Sequence, residues 1–335
     1  MILTVKEFMA EKDHASIAVI LGAGASRGVS YRHQNFASPL DTDFFDLLQR
    51  LPGARHDDIQ YILRQASNHS EYVWESLEKC FYTLENRAHT RTRFFNSTED
   101  SRERIHSSFV NSIHSLLGAA HAGKHCDHHQ HLFDIMGSED IIINFNYDLV
   151  IEHALDRSTK RRGHLIGPWL YGFPDPHDPK LDIPAMYKLH GSLNWRTSEN
   201  HFEAAMGPTS YQGKGGALLL PFWDKKIEEP PWSNIWEQAA AQLKNIDVAV
   251  VWGYSLPVTD LKSRELFRAA LEHRNVCLCV IDPSRDTRQR WRALLPDARF
   301  WIYSSMEDFR LSPPMWWKEA DTRRIHYAWR HLIYY

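Results

Sequence analysis

The stretch SIAVILGAGAS, residues 16–26, decides the fold. It is a continuous apolar run that stops at paired glycines, which is typical of the first strand and turn of a parallel α/β sheet. Similar runs, also interpreted as buried strands, follow at residues 140–148, 187–192, 217–222, 247–255, 276–284 and 298–305. Because helical patterns alternate with these runs, the sequence predicts a Rossmann-like α/β fold with a doubly wound parallel sheet.

Two intervals between the predicted strands have helical spacing. After residues 247–255, either Thr259 or Asp260 is placed to cap a helix whose apolar face is Leu261, Leu266, Phe267, Ala270 and Leu271. The interval 56–137 contains helical repeats of apolar residues and no good strand. We therefore predict an all-helical insertion at 56–137 within a Rossmann-like domain made of residues 1–55 and 138–335.

The composition limits the class of protein. The chain has 335 residues, of which 43% are hydrophobic, and a formal net charge of -3. Neither the overall composition nor the net charge indicates binding to nucleic acid or membranes. No apolar run approaches the ~20 residues that span a bilayer, and the first residues lack a signal-peptide pattern. The four cysteines form no disulfide framework, which fits a reducing compartment. We expect a cytoplasmic protein with no membrane contact and no direct nucleic-acid binding.

The first candidate binding residues form the turn Gly22, Ala23, Gly24, Ala25 and Ser26. Glycines at the end of a strand let backbone N–H groups approach a phosphate, and a following helix start favours its negative charge. The alternative is a tight turn between a strand and a helix, with no ligand. The motif alone does not decide between them.

The next two strand ends carry side chains suited to a reaction. Asn146 and Asp148 offer hydrogen bonds and a carboxylate for a ribose, a carboxamide and a water, although Asp148 also suits capping of the following helix. His190 follows the third run, beside Gly191, and histidine accepts a proton near neutral pH. A lone histidine is more often structural, so the argument for His190 depends on its position at a strand end.

Two later strand ends complete the set. Gly253 and Ser255 form a Gly-x-Ser turn suited to a phosphate contact, and Asp282 is an acidic group suited to ribose hydroxyls. Five polar strand ends in one predicted sheet favour a ligand site over turn chemistry alone.

The order of these motifs resembles the sirtuin family. That family has a GAG-x-S loop, an Asn-x-Asp segment, a His-Gly pair with the catalytic histidine, a Gly-x-Ser segment and a late strand for the adenosine ribose. The matching residues here are Gly22 to Ser26, Asn146 and Asp148, His190 and Gly191, Gly253 and Ser255, and Asp282. The resemblance covers nearly the whole chain and implies NAD as the substrate.

The resemblance also implies a role for each group. The pyrophosphate would lie against Gly22, Gly24 and the N–H groups near Ala25 and Ser26. Asp148 would face the nicotinamide carboxamide, and Asn146 would hold the ribose hydroxyls or an attacking water. His190 would be the general base, so His190 and Asn146 are the expected catalytic residues.

The chain departs from sirtuin deacylases in three respects that bear on activity. The family's T-x-N-x-D segment is N-F-N-Y-D at 144–148 here, the loop after Ser26 lacks the deacylase continuation, and the zinc module is different. Those enzymes usually carry a zinc module with two Cys-x-x-Cys pairs, and no such pair occurs here, so we expect no zinc ribbon and no bound metal. With its helical insertion, the chain is similar to bacterial sirtuin-like NADases of anti-phage defence. That similarity implies an NAD glycohydrolase that is activated by a partner or by assembly, forms homo-oligomers, and has a HerA-family ATPase as a candidate partner.

Several alternatives remain open. A zinc-free protein deacylase would use the same cleft and histidine, and a non-catalytic sensor of NAD or ADP-ribose would use the same binding residues. A metal site is a weaker alternative to a solvated interhelical segment for the irregular cluster His121, His125, Cys126, His128, His129 and His131. The aromatic and basic stretch 311–335 is a candidate docking tail or packs on the protein's own core.

Overall fold

The apolar runs of the sequence form a six-stranded parallel sheet in the computed structural model. This structure describes residues 15–27, 37–51, 57–58, 60–61, 76–80, 99–121, 126–157, 168–171, 173, 183–198, 201–205, 217–220 and 227–314. The strands are β1 (Ile17–Leu21), β2 (Ile141–Asn144), β3 (Ala185–Lys188), β4 (Trp195–Ser198), β5 (His201–Ala204), β6 (Val248–Trp252), β7 (Cys277–Ile281) and β8 (Arg299–Tyr303).

The sheet has the strand order β3-β2-β1-β6-β7-β8, and each strand is parallel to its neighbours. β2 and β3 are added on one side of β1. The chain then returns to the other side of β1, where β6, β7 and β8 are added in turn. This is the strand order of a Rossmann fold. The predicted doubly wound parallel sheet is therefore confirmed.

The helices connect these strands. They are α1 (Ala23–Arg27), α2 (Phe44–Gln49), α3 (Glu99–His121), α4 (Asp127–Ile135), α5 (Val150–Arg157), α6 (Pro168–Tyr171), α7 (Trp232–Leu243), α8 (Leu261–Leu271), α9 (Arg285–Leu294) and α10 (Met306–Leu311). Of the two predicted caps of α8, Asp260 is the one observed, because its side chain accepts a hydrogen bond from the Ser263 N–H. In the described ranges, no helix is long and apolar enough to cross a membrane.

One predicted strand was wrong and one hairpin was missed. In the run 217–222, the described residues make only an isolated antiparallel bridge, between Leu218 and Gly191. Leu218 and Leu220 are buried in the cluster that contains α2 and α3, and Leu219 packs partly buried on the core of the main sheet. Burial alone can therefore produce an apolar run that does not pair as a strand. β4 and β5 form an antiparallel hairpin instead. Its polar residues, such as Arg196 and Ser198, gave it no apolar signature.

The buried apolar side chains form two clusters. The larger one contains the strands of the main sheet and the helices packed on them. The second joins α2 and α3 through Phe44, Phe45, Phe109 and Ile113, and it reaches Leu149 beside β2. The described residues between β1 and β2 are helical or irregular, with no strand. The insertion boundaries at 56 and 137 stay predictions, and residues 315–335 of the candidate docking tail lie outside the described residues.

Candidate functional site

The predicted site residues follow the carboxyl ends of β1, β2, β3, β6 and β7. Because these strands are parallel neighbours, their carboxyl ends meet at one edge of the sheet. The connections from β1 lead to one side of the sheet and those from β6 lead to the other side. The position between β1 and β6 is therefore the topological switch point of the sheet. Open α/β sheets bind ligands in the crevice at such a point.

Glycines bring the turns after β1 and β6 into backbone contact. A Cβ on Gly22 would lie 2.5 Å from the Gly253 carbonyl oxygen, and a Cβ on Gly253 would lie 2.2 Å from the Ala25 nitrogen. Gly253 also has a positive φ of 65°, which favours glycine. Side chains at Gly22 and Gly253 would therefore separate the two turns.

The N–H groups of the first turn have partners within the protein. Gly22 donates to the Trp252 carbonyl at 3.1 Å, Gly24 donates to the Gly253 carbonyl at 3.0 Å, and Ala25 donates to the Gly22 carbonyl at 2.9 Å. Close packing of the two turns therefore accounts for these glycines. The phosphate contact predicted for the turn stays a prediction.

The first turn is tied to the end of β2 by side-chain hydrogen bonds. The Asn146 amide donates to the Gly22 carbonyl at 2.9 Å and to the Ser26 Oγ at 3.2 Å. The Ser26 hydroxyl in turn donates to Asp148 Oδ2 at 2.8 Å, while Asp148 Oδ1 accepts from the Val150 N–H at 3.0 Å. Ser26, Asn146 and Asp148 are all buried. Asp148 thus caps α5 and also belongs to the polar group at the site.

His190 lies beside a second polar group, formed by Asp260 and Tyr254. Its Nε2 atom is 3.3 Å from Asp260 Oδ2, and both side chains are buried. The Tyr254 hydroxyl donates to the same carboxylate oxygen at 2.9 Å. Burial, together with the nearby Asp260 charge, raises the pKa of Tyr254 well above its ordinary value, so its hydroxyl stays a donor.

An aromatic contact links the two groups. The Phe145 ring stacks on Tyr254 with centroids 3.9 Å apart, and it meets the His190 ring edge to face at 5.0 Å. Phe145 directly precedes Asn146 in the chain. The ends of β2, β3 and β6 are thereby packed together.

Buried contacts fix the direction of the turn after β3. Gly191 has a φ of 86°, and a Cβ there would lie 1.9 Å from the Ala217 carbonyl oxygen. Lys188 is fully buried and donates to the Asp148 carbonyl and, at 2.9 Å, to Glu152 Oε1. Lys188 therefore ties the end of β3 to α5, two residues before His190.

Ser255 and Asp282 lie at the ends of β6 and β7. The Ser255 side chain is exposed, and its carbonyl accepts a hydrogen bond from Arg290 Nε at 2.7 Å. Asp282 is buried and accepts from the Ser284 N–H at 2.8 Å. Burial raises the pKa of the Asp282 carboxyl, and the charges of Arg290 and Arg288 oppose that rise. In the sheet, β7 lies beyond β6 and is separated by β6, β1 and β2 from β3, the strand that precedes His190.

The sequence interpretation did not assign Asp260 and Tyr254 to the site. Asp260 was noticed only as a candidate cap of α8, a role that it does have. Its contact with His190 could have been anticipated from its position in the chain. An aspartate that caps a helix directly after the turn of a strand lies at the carboxyl edge of the sheet, where the other site residues are. The Thr259 hydroxyl also donates to Glu78, within the predicted helical insertion, so the insertion reaches this loop.

In the candidate metal cluster, His125 lies outside the described residues, and His128 and His129 have different partners. His129 Nδ1 lies 3.0 Å from the Cys126 sulfur and its ring packs on Trp252, whereas His128 Nδ1 meets Arg310 at 3.1 Å. Burial raises the pKa of the Cys126 thiol to about 11, so in the metal-free protein this side chain is a neutral thiol near neutral pH. Across the described part of the chain, no three His, Cys, Asp or Glu residues are grouped to hold a metal ion.

Comparisons with known proteins give matches only among solved structures. No family model matches the sequence, and no curated protein gives a significant match. One similar structure is a complex of a Sir2 homologue with 2'-O-acetyl ADP ribose, at a TM-score of 0.40 and 14% identity, covering 97% of each chain.

Two other solved structures match with similar TM-scores and sequence identities. A Sir2 homologue complex with NAD has a TM-score of 0.37 and 14% identity, covering 95% of this chain and 91% of that chain. Sir2Tm bound to a propionylated peptide has a TM-score of 0.34 and 13% identity, covering 92% of this chain and 97% of that chain. Because these TM-scores and sequence identities are low, we infer function from the residues of the site alone.

Proposed function

We propose that this chain is an NAD glycohydrolase that cleaves NAD to nicotinamide and ADP-ribose. The observation that carries the proposal is the pair of buried polar groups at the switch edge of a Rossmann sheet. One group holds His190 against Asp260, and the other holds Asn146 against Ser26. A base and an amide at adjacent strand ends suit the chemistry of a bound dinucleotide.

In this proposal NAD lies across the carboxyl ends of the strands. The pyrophosphate lies over the turn from Gly22 to Ser26, next to the turn of Gly253 and Ser255. The adenosine ribose reaches Asp282 at the end of β7, since an acidic strand end is the usual partner of ribose hydroxyls in this fold. The nicotinamide lies on the other side, near Asp148 and His190.

The reaction breaks the bond between the nicotinamide nitrogen and the ribose carbon. The bonding electrons leave with nicotinamide, and a water oxygen forms the new bond to that carbon. His190 accepts the proton that the attacking water loses, either directly or relayed through a ribose hydroxyl, and Asn146 orients that water or the ribose hydroxyls. Positive charge develops on the ribose as the bond breaks, so the fixed dipoles of the buried amide and carboxylates lower the barrier.

The wider role follows from the motif resemblance. We propose an abortive-infection effector of anti-phage defence, working in the cytoplasm as a homo-oligomer with a HerA-family ATPase as candidate partner. Activation by a partner or by assembly suits an enzyme whose unrestrained turnover would deplete cellular NAD. α2 and α3 share a buried cluster with Leu149 and Leu193, which follow β2 and β3, so these helices are packed directly on the segments that carry the site.

Nicotinamide release from NAD by the purified chain, without acyl peptide, tests the proposal. His190→Ala should reduce the rate by ~10²–10⁴-fold, because that is the usual contribution of a positioned base. The matched control is His201→Ala on β5, where 47% of the histidine side chain is exposed. The control should keep the wild-type rate, and near-normal turnover by His190→Ala would contradict the proposal.

Asn146→Ala should also remove activity while the chain stays folded by circular dichroism. If an acyl-lysine peptide is required for nicotinamide release, the chain is a deacylase instead. If NAD binds tightly with no turnover, even with the ATPase partner present, the chain is a sensor.

A further inference from the structure

The two carboxylate oxygens of Asp260 contact different parts of the protein. Oδ1 accepts the Ser263 N–H at 3.3 Å and thereby caps α8. Oδ2 lies 3.3 Å from His190 Nε2. The capping bond fixes the orientation of the carboxylate, so one particular oxygen faces the imidazole.

Tyr254 holds the same oxygen from another direction. Its hydroxyl donates to Oδ2 at 2.9 Å, and its ring is fixed by stacking on Phe145. Oδ2 therefore has a donor in Tyr254, and an ionised carboxylate can only accept hydrogen bonds. The His190 nitrogen that faces it must carry a proton to bond to it.

We propose that Asp260 is a positioning residue that selects the tautomer of His190. It holds the Nε2–H form, so Nδ1 carries the lone pair that accepts the proton in the reaction. This inference rests on the proposed function for its catalytic consequence. The tautomer itself depends only on the geometry of His190, Asp260 and Tyr254.

Asp260→Asn separates the capping role from the positioning role. An asparagine amide keeps an oxygen for the Ser263 N–H, so the cap of α8 is retained. Its NH₂ group then replaces Oδ2 and faces His190 as a donor. The imidazole must accept at Nε2 and move its proton to Nδ1, which removes the lone pair that the reaction needs.

The measurement is ¹⁵N NMR of the histidine rings at a pH where His190 is neutral, with His190→Gln used to assign its signals among the 20 histidines. Wild type should show Nε2 protonated, and Asp260→Asn should show Nδ1 protonated. Nicotinamide release should fall by on the order of 10²-fold in Asp260→Asn, the lower end of the usual contribution of a base.

Two controls separate positioning from folding. Ser305→Ala removes the side-chain cap of α10, outside the site, and should change neither the tautomer nor the rate. Asp260→Ser keeps a capping side chain but lacks the carboxylate, so it should fold normally and lose activity as Asp260→Asn does.

The outcomes for the two proposals are distinguishable. Protonation at Nδ1 in the wild type, or the same tautomer in wild type and Asp260→Asn, would overturn the role of Asp260. The expected tautomers in a protein that never releases nicotinamide would uphold the geometry while rejecting the NAD glycohydrolase. A normal rate in Asp260→Asn despite a changed tautomer would overturn the catalytic consequence.

Discussion

At the scale of single residues, Ser26 is the hydroxyl that joins two strand ends. It donates to Asp148 Oδ2 and accepts from the Asn146 amide, and it is fully buried. Ser26→Ala leaves a buried carboxylate oxygen without this donor. We expect the free energy of unfolding to fall by about 1–3 kcal/mol, the usual cost of such a group, as measured by urea denaturation.

A buried serine elsewhere provides the control for this substitution. The Ser112 hydroxyl donates to the Ser108 carbonyl at 2.7 Å inside α3 and contacts no carboxylate through that bond. Ser112→Ala should cost less than Ser26→Ala, because the carbonyl belongs to a helix and the lost bond is between neutral groups. Equal losses would mean that the link to Asp148 adds nothing to stability.

The contact between His190 and Asp260 shows what the sequence could not predict. The position of His190 after a predicted strand was evident from the chain, since the apolar run before it ends there. Its partner Asp260 lies 70 residues later, and the pairing depends on β6 returning beside β1. No local pattern encodes such a contact, whereas the cap of α8 is local and was predicted.

At the scale of elements, the contact between the turns after β1 and β6 depends on glycine. Gly253→Ala would place a Cβ 2.2 Å from the Ala25 nitrogen, at a φ of 65°. Because the nearest atoms are backbone, the turns must separate, and strain of this kind costs on the order of 1–3 kcal/mol even before the clash is counted. We expect a loss of more than about 2 kcal/mol in the free energy of unfolding, measured by urea denaturation.

Gly118 in α3 is the matched glycine for that experiment. A Cβ there meets nothing within 4 Å, and the residue lies inside a helix. Gly118→Ala should therefore raise the free energy of unfolding by about 0.5–1 kcal/mol, because alanine is the better helix former. If both substitutions change the free energy of unfolding by the same amount, close packing does not explain why residue 253 is glycine.

The elements also explain why some predictions succeeded. Five strands of the main sheet are buried along their whole length, so their apolar runs are continuous and their ends are sharp; the edge strand β8 is partly exposed. β4 and β5 lie outside that sheet and contain charged residues, so they have no apolar run, and the alternation in β5 extends over only four residues. The run at 217–222 is apolar because it packs on helices, and composition alone cannot separate that case from a strand.

At the scale of the whole molecule, the strand order brings distant segments to one edge. The sequence predicts a doubly wound sheet but does not give the order of its strands, which depends on long-range pairing of β1 with β6. That pairing makes the turns after β1, β2, β3, β6 and β7 parts of one crevice. A dinucleotide bound as proposed must contact turns from both halves of the sheet.

Hydrogen exchange measured with and without NAD tests this arrangement. His190→Ala should be used so that the substrate is not consumed. At 100 times its Kd, a ligand stabilises the bound state by about 2.7 kcal/mol, which is enough to slow exchange measurably. We expect added protection in 22–26, 145–148, 189–192, 253–256 and 282–284 together, and much less at the opposite strand ends, 138–140 and 245–247. Protection confined to one half of the sheet would contradict a dinucleotide lying across the switch point.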